Sequence, residues 1–222
     1  MTPRRYALTA LFLSAWIVLA AAAARAEAPL EPYPLDGLAR TVPTTGRMRC
    51  PEVDRVRYRG TAIPWASPLE VHPAFEARLA AFEAVAVAVA EKVFGRAPTR
   101  IRHLGSYNCR RIRRYPDLLS EHGLGNAIDV AGFEFPALSA RERKTSTLPK
   151  ALRRGFAVTV LDHWDAKGQD ASANGLRRRF LHELTAALEA RPDIFRVMLG
   201  PAYPGHRNHF HFDCAPYRLV VL

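Results

Sequence analysis

The sequence predicts an α+β domain, a small and mostly antiparallel sheet with flanking helices. Two long stretches repeat apolar residues at three- and four-residue spacing, the period of a helix with one buried face. Several other apolar runs are only strand length and are bounded by polar or glycine-containing segments. No segment repeats, which sets solenoids and propellers aside.

Residues 1–26 read as a signal peptide. Arg4 and Arg5 precede an apolar run from Ala7 to Ala24, and Ala24-Arg25-Ala26 is an A-x-A cleavage site. The alternative is an uncleaved membrane anchor, but alanines dominate the end of the run and no basic stop-transfer cluster follows. Residues 27–47, rich in Pro, Ala and Thr, read as an extended lead-in, with ordered structure expected from near Cys50 and one domain over residues 48–222. The first helix is expected over Pro73–Phe94, where Phe75, Leu79, Phe82, Val85, Val89 and Val93 form a stripe and Gly95 ends it. Strands are expected at Arg100–Leu104, Ala127–Phe133, Phe156–Leu161, Ile194–Leu199 and His209–Asp213. A second helix fits Leu176–Ala190, striped by Leu176, Phe180, Leu184 and Leu188 and stopped by Pro192. Residues 138–152 and 165–174 read as polar loops, with room for a short helix from Pro149.

The formal charge is +11, falling to +8 once Arg4, Arg5 and Arg25 leave with the signal peptide. Such a balance suits an anionic partner. Export and the lack of aromatics interleaved with the arginine clusters argue against nucleic acid, which leaves anionic cell-envelope material. Three cysteines entering an oxidising compartment imply one disulfide and one free thiol. Spacing leaves the pairing open; Cys50 with Cys109 is preferred because Cys214 closely follows a stretch with coordinating residues.

That stretch is "GHRNHFHFD", which holds His206, His209 and His211. On a strand, period two puts His209, His211 and Asp213 on one face and Phe210 and Phe212 on the other. A half-buried edge strand with solvated histidines would share the alternation, but would not require imidazole at both positions. Earlier, "SEHGLGNAID" places His122 on a glycine-bounded turn and Asp129 on the following strand, so that the two can converge. Two imidazoles and a carboxylate suit Zn²⁺ and leave a fourth position open, as a catalytic site requires. No G-x-S-x-G is present, and Ser120 belongs more simply to the His122 motif than to a serine hydrolase.

"SEHGLGNAID" resembles the S-x-H-x-x-G-x-A-x-D motif of zinc D-Ala-D-Ala carboxypeptidases, and "HRNHFHFD" the histidine cluster that closes their site, in the superfamily shared with lysostaphin-type endopeptidases and hedgehog domains. The pattern is most similar to the bacterial extensin-like C-terminal domain family, through "GSYNCR", "SEHGLGNAIDVAGF" and Val197 to Asp213. The resemblance implies a hedgehog or D-Ala-D-Ala peptidase-like fold with His122, Asp129 and His211 as zinc ligands. His209 would serve as general base or hydrogen-bond donor, and His206 would orient or share that role. Arg110 would hold a substrate carboxylate, and Ser106 and Tyr107 would line the same cleft. Asn208 departs from the pattern, standing where several relatives place a glutamate base, and Glu121 is expected on the loop surface. The function implied is an exported, periplasmic zinc peptidase acting on peptidoglycan stem peptides or cross-links. A zinc-containing wall-binding module without turnover, or a peptidase of other exported proteins, would need the same ligands.

Overall fold

The computed structural model describes residues 31–222, so the expected signal peptide lies outside the described residues. In chain order the elements are β1 (Val56–Tyr58), β2 (Leu69–Val71), α1 (Pro73–Phe94), β3 (Arg100–Gly105), β4 (Arg111–Ile112), β5 (Tyr115–Leu119), β6 (Ala127–Phe135), α2 (Ala140–Thr145), β7 (Phe156–Thr159), α3 (Val160–His163), α4 (Ala173–Glu189), β8 (Val197–Leu199), β9 (Phe210–Asp213) and β10 (Leu219–Val221). The main sheet runs β10-β8-β9-β6-β3, with β7 also paired to β6. All its pairings are antiparallel except β8 with β10. The class is α+β.

Helix α1 has the expected bounds because both ends are capped. His72 Nδ1 accepts from Ala74 N–H at 3.1 Å, Pro73 supplies a first-turn residue with no amide hydrogen to satisfy, and Gly95 takes the left-handed conformation at φ 68°. Its stripe of Phe75, Leu79, Phe82, Ala86 and Val89 faces the sheet, where Phe82 packs against Phe133, Phe195 and Phe212 at 5.7–6.3 Å between ring centroids. The alternation read in the last strand holds: Phe210 and Phe212 are fully buried in this core, while His211 and Asp213 bond to each other on the opposite face.

Glu83 is also fully buried on α1, although it is charged. Its carboxylate accepts from the Tyr58 hydroxyl (2.8 Å), the amides of Thr61 (2.8 Å), Ala62 (2.7 Å) and Ile63 (3.1 Å), and the Trp65 indole (2.7 Å). One side chain thereby fixes the whole connection from β1 towards β2.

Several elements differ from the sequence expectation. The run Phe156–Leu161 is a strand only to Thr159, where the Thr159 hydroxyl accepts from Asp162 N–H at 3.2 Å and starts α3. Residues 138–152 contain α2, begun by a Ser139–Glu142 capping box, while the short helix allowed from Pro149 is a 3-10 turn at Lys150–Leu152. Strands β1, β2, β4, β5 and β10 were not anticipated: each is two to five residues long, and β5 carries Pro116, which argues against a strand.

Order begins well before Cys50. Tyr33 and Leu35 are buried in the main core, Thr41 bridges to Leu118, and Leu119 N–H donates to Arg40 O at 2.7 Å. Arg196, itself buried, donates to Asp36 Oδ1 at 2.5 Å and also bonds the carbonyls of Glu31 and Ala215. The segment has little regular structure, yet it is part of the domain.

Cys50 and Cys109 form a disulfide with Cα atoms 5.8 Å apart, and Cys214 is free and buried. Burial pushes the Cys214 thiol up, reinforced by the nearby Asp213 charge, so it is unreactive at neutral pH. The disulfide closes a loop of 59 positions. Replacing both Cys50 and Cys109 by serine is expected to lower stability by about 4 kcal/mol on chain-entropy grounds, measurable as a reduced urea midpoint with a steeper slope from the more expanded unfolded chain.

Candidate metal centre

Three side chains from two strands and a turn converge at one end of the sheet. Asp129 on β6 and His211 on β9 are direct cross-strand partners, which places both side chains on the same face. His122 sits on a 3-10 turn over Glu121–Leu124, ended by Gly125 at φ 62°. A Cβ at Gly125 would lie 2.9 Å from the His72 amide nitrogen, so both the conformation and the close approach require glycine. Gly123, in the same turn, packs on the disulfide: a Cβ there would meet Cys50 Sγ at 2.8 Å.

The buried support of this turn was not read from the sequence. Glu121, expected on the loop surface, is buried; it accepts from Arg40 Nε at 2.5 Å and Asn126 Nδ2 at 2.6 Å. The correction has a physical reason: Arg40 arrives from the lead-in, which supplies the countercharge that burial of a carboxylate needs.

Among the described residues, His122, Asp129 and His211 form the group able to hold a metal ion. Asp129 Oδ1 lies 3.2 Å from His122 Nε2 and 3.0 Å from His211 Nδ1, and the two nitrogens are 3.1 Å apart. A tetrahedral zinc with bonds of about 2.0–2.2 Å would set its ligand atoms about 3.3 Å apart, close to this triangle. The other imidazole nitrogens are engaged: His122 Nδ1 bonds the Ser106 carbonyl, and His211 Nε2 lies 2.7 Å from Asp213 Oδ2. Once both rings are neutral, as metal binding requires, those acceptors hold the remaining ring protons on the outer nitrogens and aim two lone pairs and a carboxylate at one point. The donor set fits zinc.

The electrostatics agree. Burial alone would raise Asp129, but hydrogen bonds from His122 and His211 hold its carboxyl well below the usual range. Burial likewise opposes charge on His211, yet the bonds to Asp129 and Asp213 outweigh it and push the imidazole up to about 9. The cluster favours positive charge at its centre.

His209 and His206 stand beside this set. His209 Nε2 is 3.6 Å from Asp129 Oδ1, and the His206 ring lies 4.8 Å from that of His209 and 5.8 Å from that of His211. Burial draws His209 down to about 4 despite the attraction of Asp129, leaving the ring neutral at neutral pH. Asn208 Oδ1 lies 2.9 Å from His209 Nδ1 and accepts a hydrogen bond from it, which keeps the proton on Nδ1 so that Nε2 presents a lone pair towards the centre. Asn208 thus sets a histidine tautomer.

The remaining site residues divide. Arg110 lies on the segment beside the metal turn, its carbonyl accepting from Ser120 N–H at 3.0 Å. Ser106 is buried: its hydroxyl accepts from Glu70 N–H at 3.0 Å, and its carbonyl bonds His122 Nδ1. Tyr107 is half-buried with the Arg55 guanidinium 4.0 Å from its ring centroid. His72, His103, His163 and His182 lie outside the centre, each bonded to its own local partner.

Neither a curated protein nor a solved structure matches the chain. The model of a family described as extensin-like protein C-terminus matches residues 36–146. That span holds both disulfide cysteines, Arg110, His122 and Asp129, and it begins in the lead-in that the fold shows to be part of the domain; it ends before His206, His209 and His211, which the tertiary structure adds. With half of its length matched, the chain belongs to the extensin-like protein C-terminal family.

Proposed function

We propose that the protein is an exported, periplasmic zinc metallopeptidase that hydrolyses amide bonds in peptidoglycan stem peptides or cross-links. The observation that carries this reading is the triangle of His122 Nε2, Asp129 Oδ1 and His211 Nδ1, at 3.0–3.2 Å, with each imidazole's outer nitrogen already engaged. Two nitrogens and one carboxylate favour zinc over the oxygen-loving magnesium or calcium. Held by these three residues, zinc would supply Lewis-acid polarisation of the substrate carbonyl. His209 Nε2, neutral and unprotonated, takes a proton from the attacking water and returns it to the leaving amine; Asn208 holds the tautomer for this. Arg110 is available to hold a peptide carboxylate in a two-pronged contact. The motifs shared with zinc D-Ala-D-Ala carboxypeptidases and the charge of the chain support the substrate class.

A second reading, a zinc-containing wall-binding module without turnover, is favoured by Asn208 standing where those carboxypeptidases place a glutamate. Mass spectrometry of purified muropeptides incubated with zinc-loaded protein separates the two. Loss of a terminal D-Ala or of a cross-link supports the peptidase, and an unchanged profile with zinc tightly held supports the module. If the protein is active, His209→Ala should keep its zinc and lose about a hundredfold in hydrolysis, the usual contribution of a positioned acid or base. Loss of zinc in that variant would mean that His209, not His211, is the ligand.

A further inference from the structure

We infer that the lead-in loop and the β4–β5 hairpin together form a docking face for a polycarboxylate chain, separate from the metal centre and adjoining it. Residues 43–50 and 109–114 contain Arg47, Arg49, Arg110, Arg111, Arg113 and Arg114 and no acidic residue. The two segments are far apart in sequence and are fastened together. The Cys50–Cys109 disulfide joins them, and Arg111 donates to the carbonyls of Pro43 (2.7 Å), Thr45 (2.9 Å) and Gly46 (3.2 Å).

Arg111 is consumed in building the face. Arg47, Arg49, Arg113 and Arg114 are exposed, and none of them has an ion-pair partner among the described residues. Several surface arginines elsewhere are matched by acids, Arg100 and Arg102 with Glu134, Arg178 with Asp170, Arg179 with Glu183 and Arg191 with Asp193, and what sets these four apart is that a disulfide and the Arg111 bonds fasten their two segments together. Unneutralised like charges held together by a covalent bond cost stability through mutual repulsion unless an anion relieves it. Guanidinium forks match anionic oxygens, and four exposed forks on two segments suit a repeating anion better than a single small one.

Tyr115 is the one exposed large hydrophobic residue adjoining the arginines. That is too little for the stacked aromatics of a single-stranded nucleic-acid surface or for insertion into a membrane. The choice of carboxylate rests on the peptidoglycan reading, since stem peptides carry free carboxyl groups. The docking face itself does not. Both segments lead into the metal turn: Asn108 N–H donates to His122 O at 3.1 Å, and Gly123 packs on the disulfide.

The test is binding of polyglutamate to the protein at low and physiological salt. The quadruple variant Arg47→Ser, Arg49→Ser, Arg113→Ser and Arg114→Ser is expected to weaken binding by at least about tenfold at low salt, taking the stabilisation each surface cation draws from a polyanion as a guide. A control removing the same charge at the exposed Arg141, Arg143, Lys144 and Arg154 should change it less than about twofold, because those charges lie elsewhere on the surface. Equal losses in the two variants would overturn the proposal, as would tighter binding to phosphatidylglycerol vesicles or oligothymidylate than to polyglutamate. Asp129→Ala, which breaks the metal centre, should bind polyglutamate as the wild type does, so failure of the peptidase reading leaves this result standing.

Discussion

Zinc binding is expected at one equivalent per chain, and His122→Ala, Asp129→Ala and His211→Ala are each expected to abolish stoichiometric binding after dialysis. Each substitution removes one of three donors that lie within 3.0–3.2 Å of one another, and leaves two ligands that cannot enclose the ion. Asp213→Ala provides a graded comparison. Asp213 accepts from His211 Nε2 at 2.7 Å, and losing such a partner costs roughly 10–100-fold in metal affinity, well short of losing a ligand. Asp129 deserves to be the first variant made, because both histidines bond its Oδ1. Metal analysis that finds full zinc in all three ligand variants, with unchanged circular dichroism, would rule this centre out.

The largest loss of stability is expected from Glu83. Glu83→Ala leaves the Ile63 amide and the Trp65 indole N–H without acceptors in a buried site and removes the acceptor of the part-buried Thr61 and Ala62 amides, while the Tyr58 hydroxyl keeps Thr61 Oγ1 as a partner. At about 1–3 kcal/mol for each stranded buried donor and less for the part-buried amides, the total reaches about 4–5 kcal/mol, a large share of the stability of many domains. Glu83→Gln separates charge from mere shape. The amide keeps one acceptor oxygen but turns an NH₂ towards donors, so it too should be strongly destabilising, whereas a surface glutamate would tolerate the change. A urea melt of Glu83→Gln within about 1 kcal/mol of wild type would refute this account.

The sequence disclosed elements whose determinants are local. Helix α1 shows its stripe, its Pro73 and its Gly95, and the His211 strand shows its alternation with Phe210 and Phe212; in each, a few neighbouring residues decide the outcome. The convergence of His122, Asp129 and His211 is legible for the same reason, since one turn and two short motifs carry them. What escaped was decided at a distance. Glu83 is indistinguishable from a surface glutamate until the Thr61–Ile63 amides and the Trp65 indole are seen around it, and Glu121 until Arg40 arrives from the lead-in. Helix α2 is a different case: the Ser139 and Glu142 spacing of a capping box was visible, and the polar composition around it hid a short exposed helix.

The clasp made by Arg196 bears on how the chain can close. It ties Asp36 and Glu31 to a residue 160 or more positions later, and the same guanidinium reaches the Ala215 carbonyl just past β9. Contacts of such separation give no return until nearly the whole chain is present. A polypeptide emerging from its N-terminus therefore waits with Tyr33 and Leu35 unburied until residues beyond 196 have arrived, and a fragment trimmed to begin at the first cysteine would lack one jaw of the clasp altogether. The smallest unit expected to fold on its own is circular in this sense, beginning before Tyr33 and ending no earlier than Ala215.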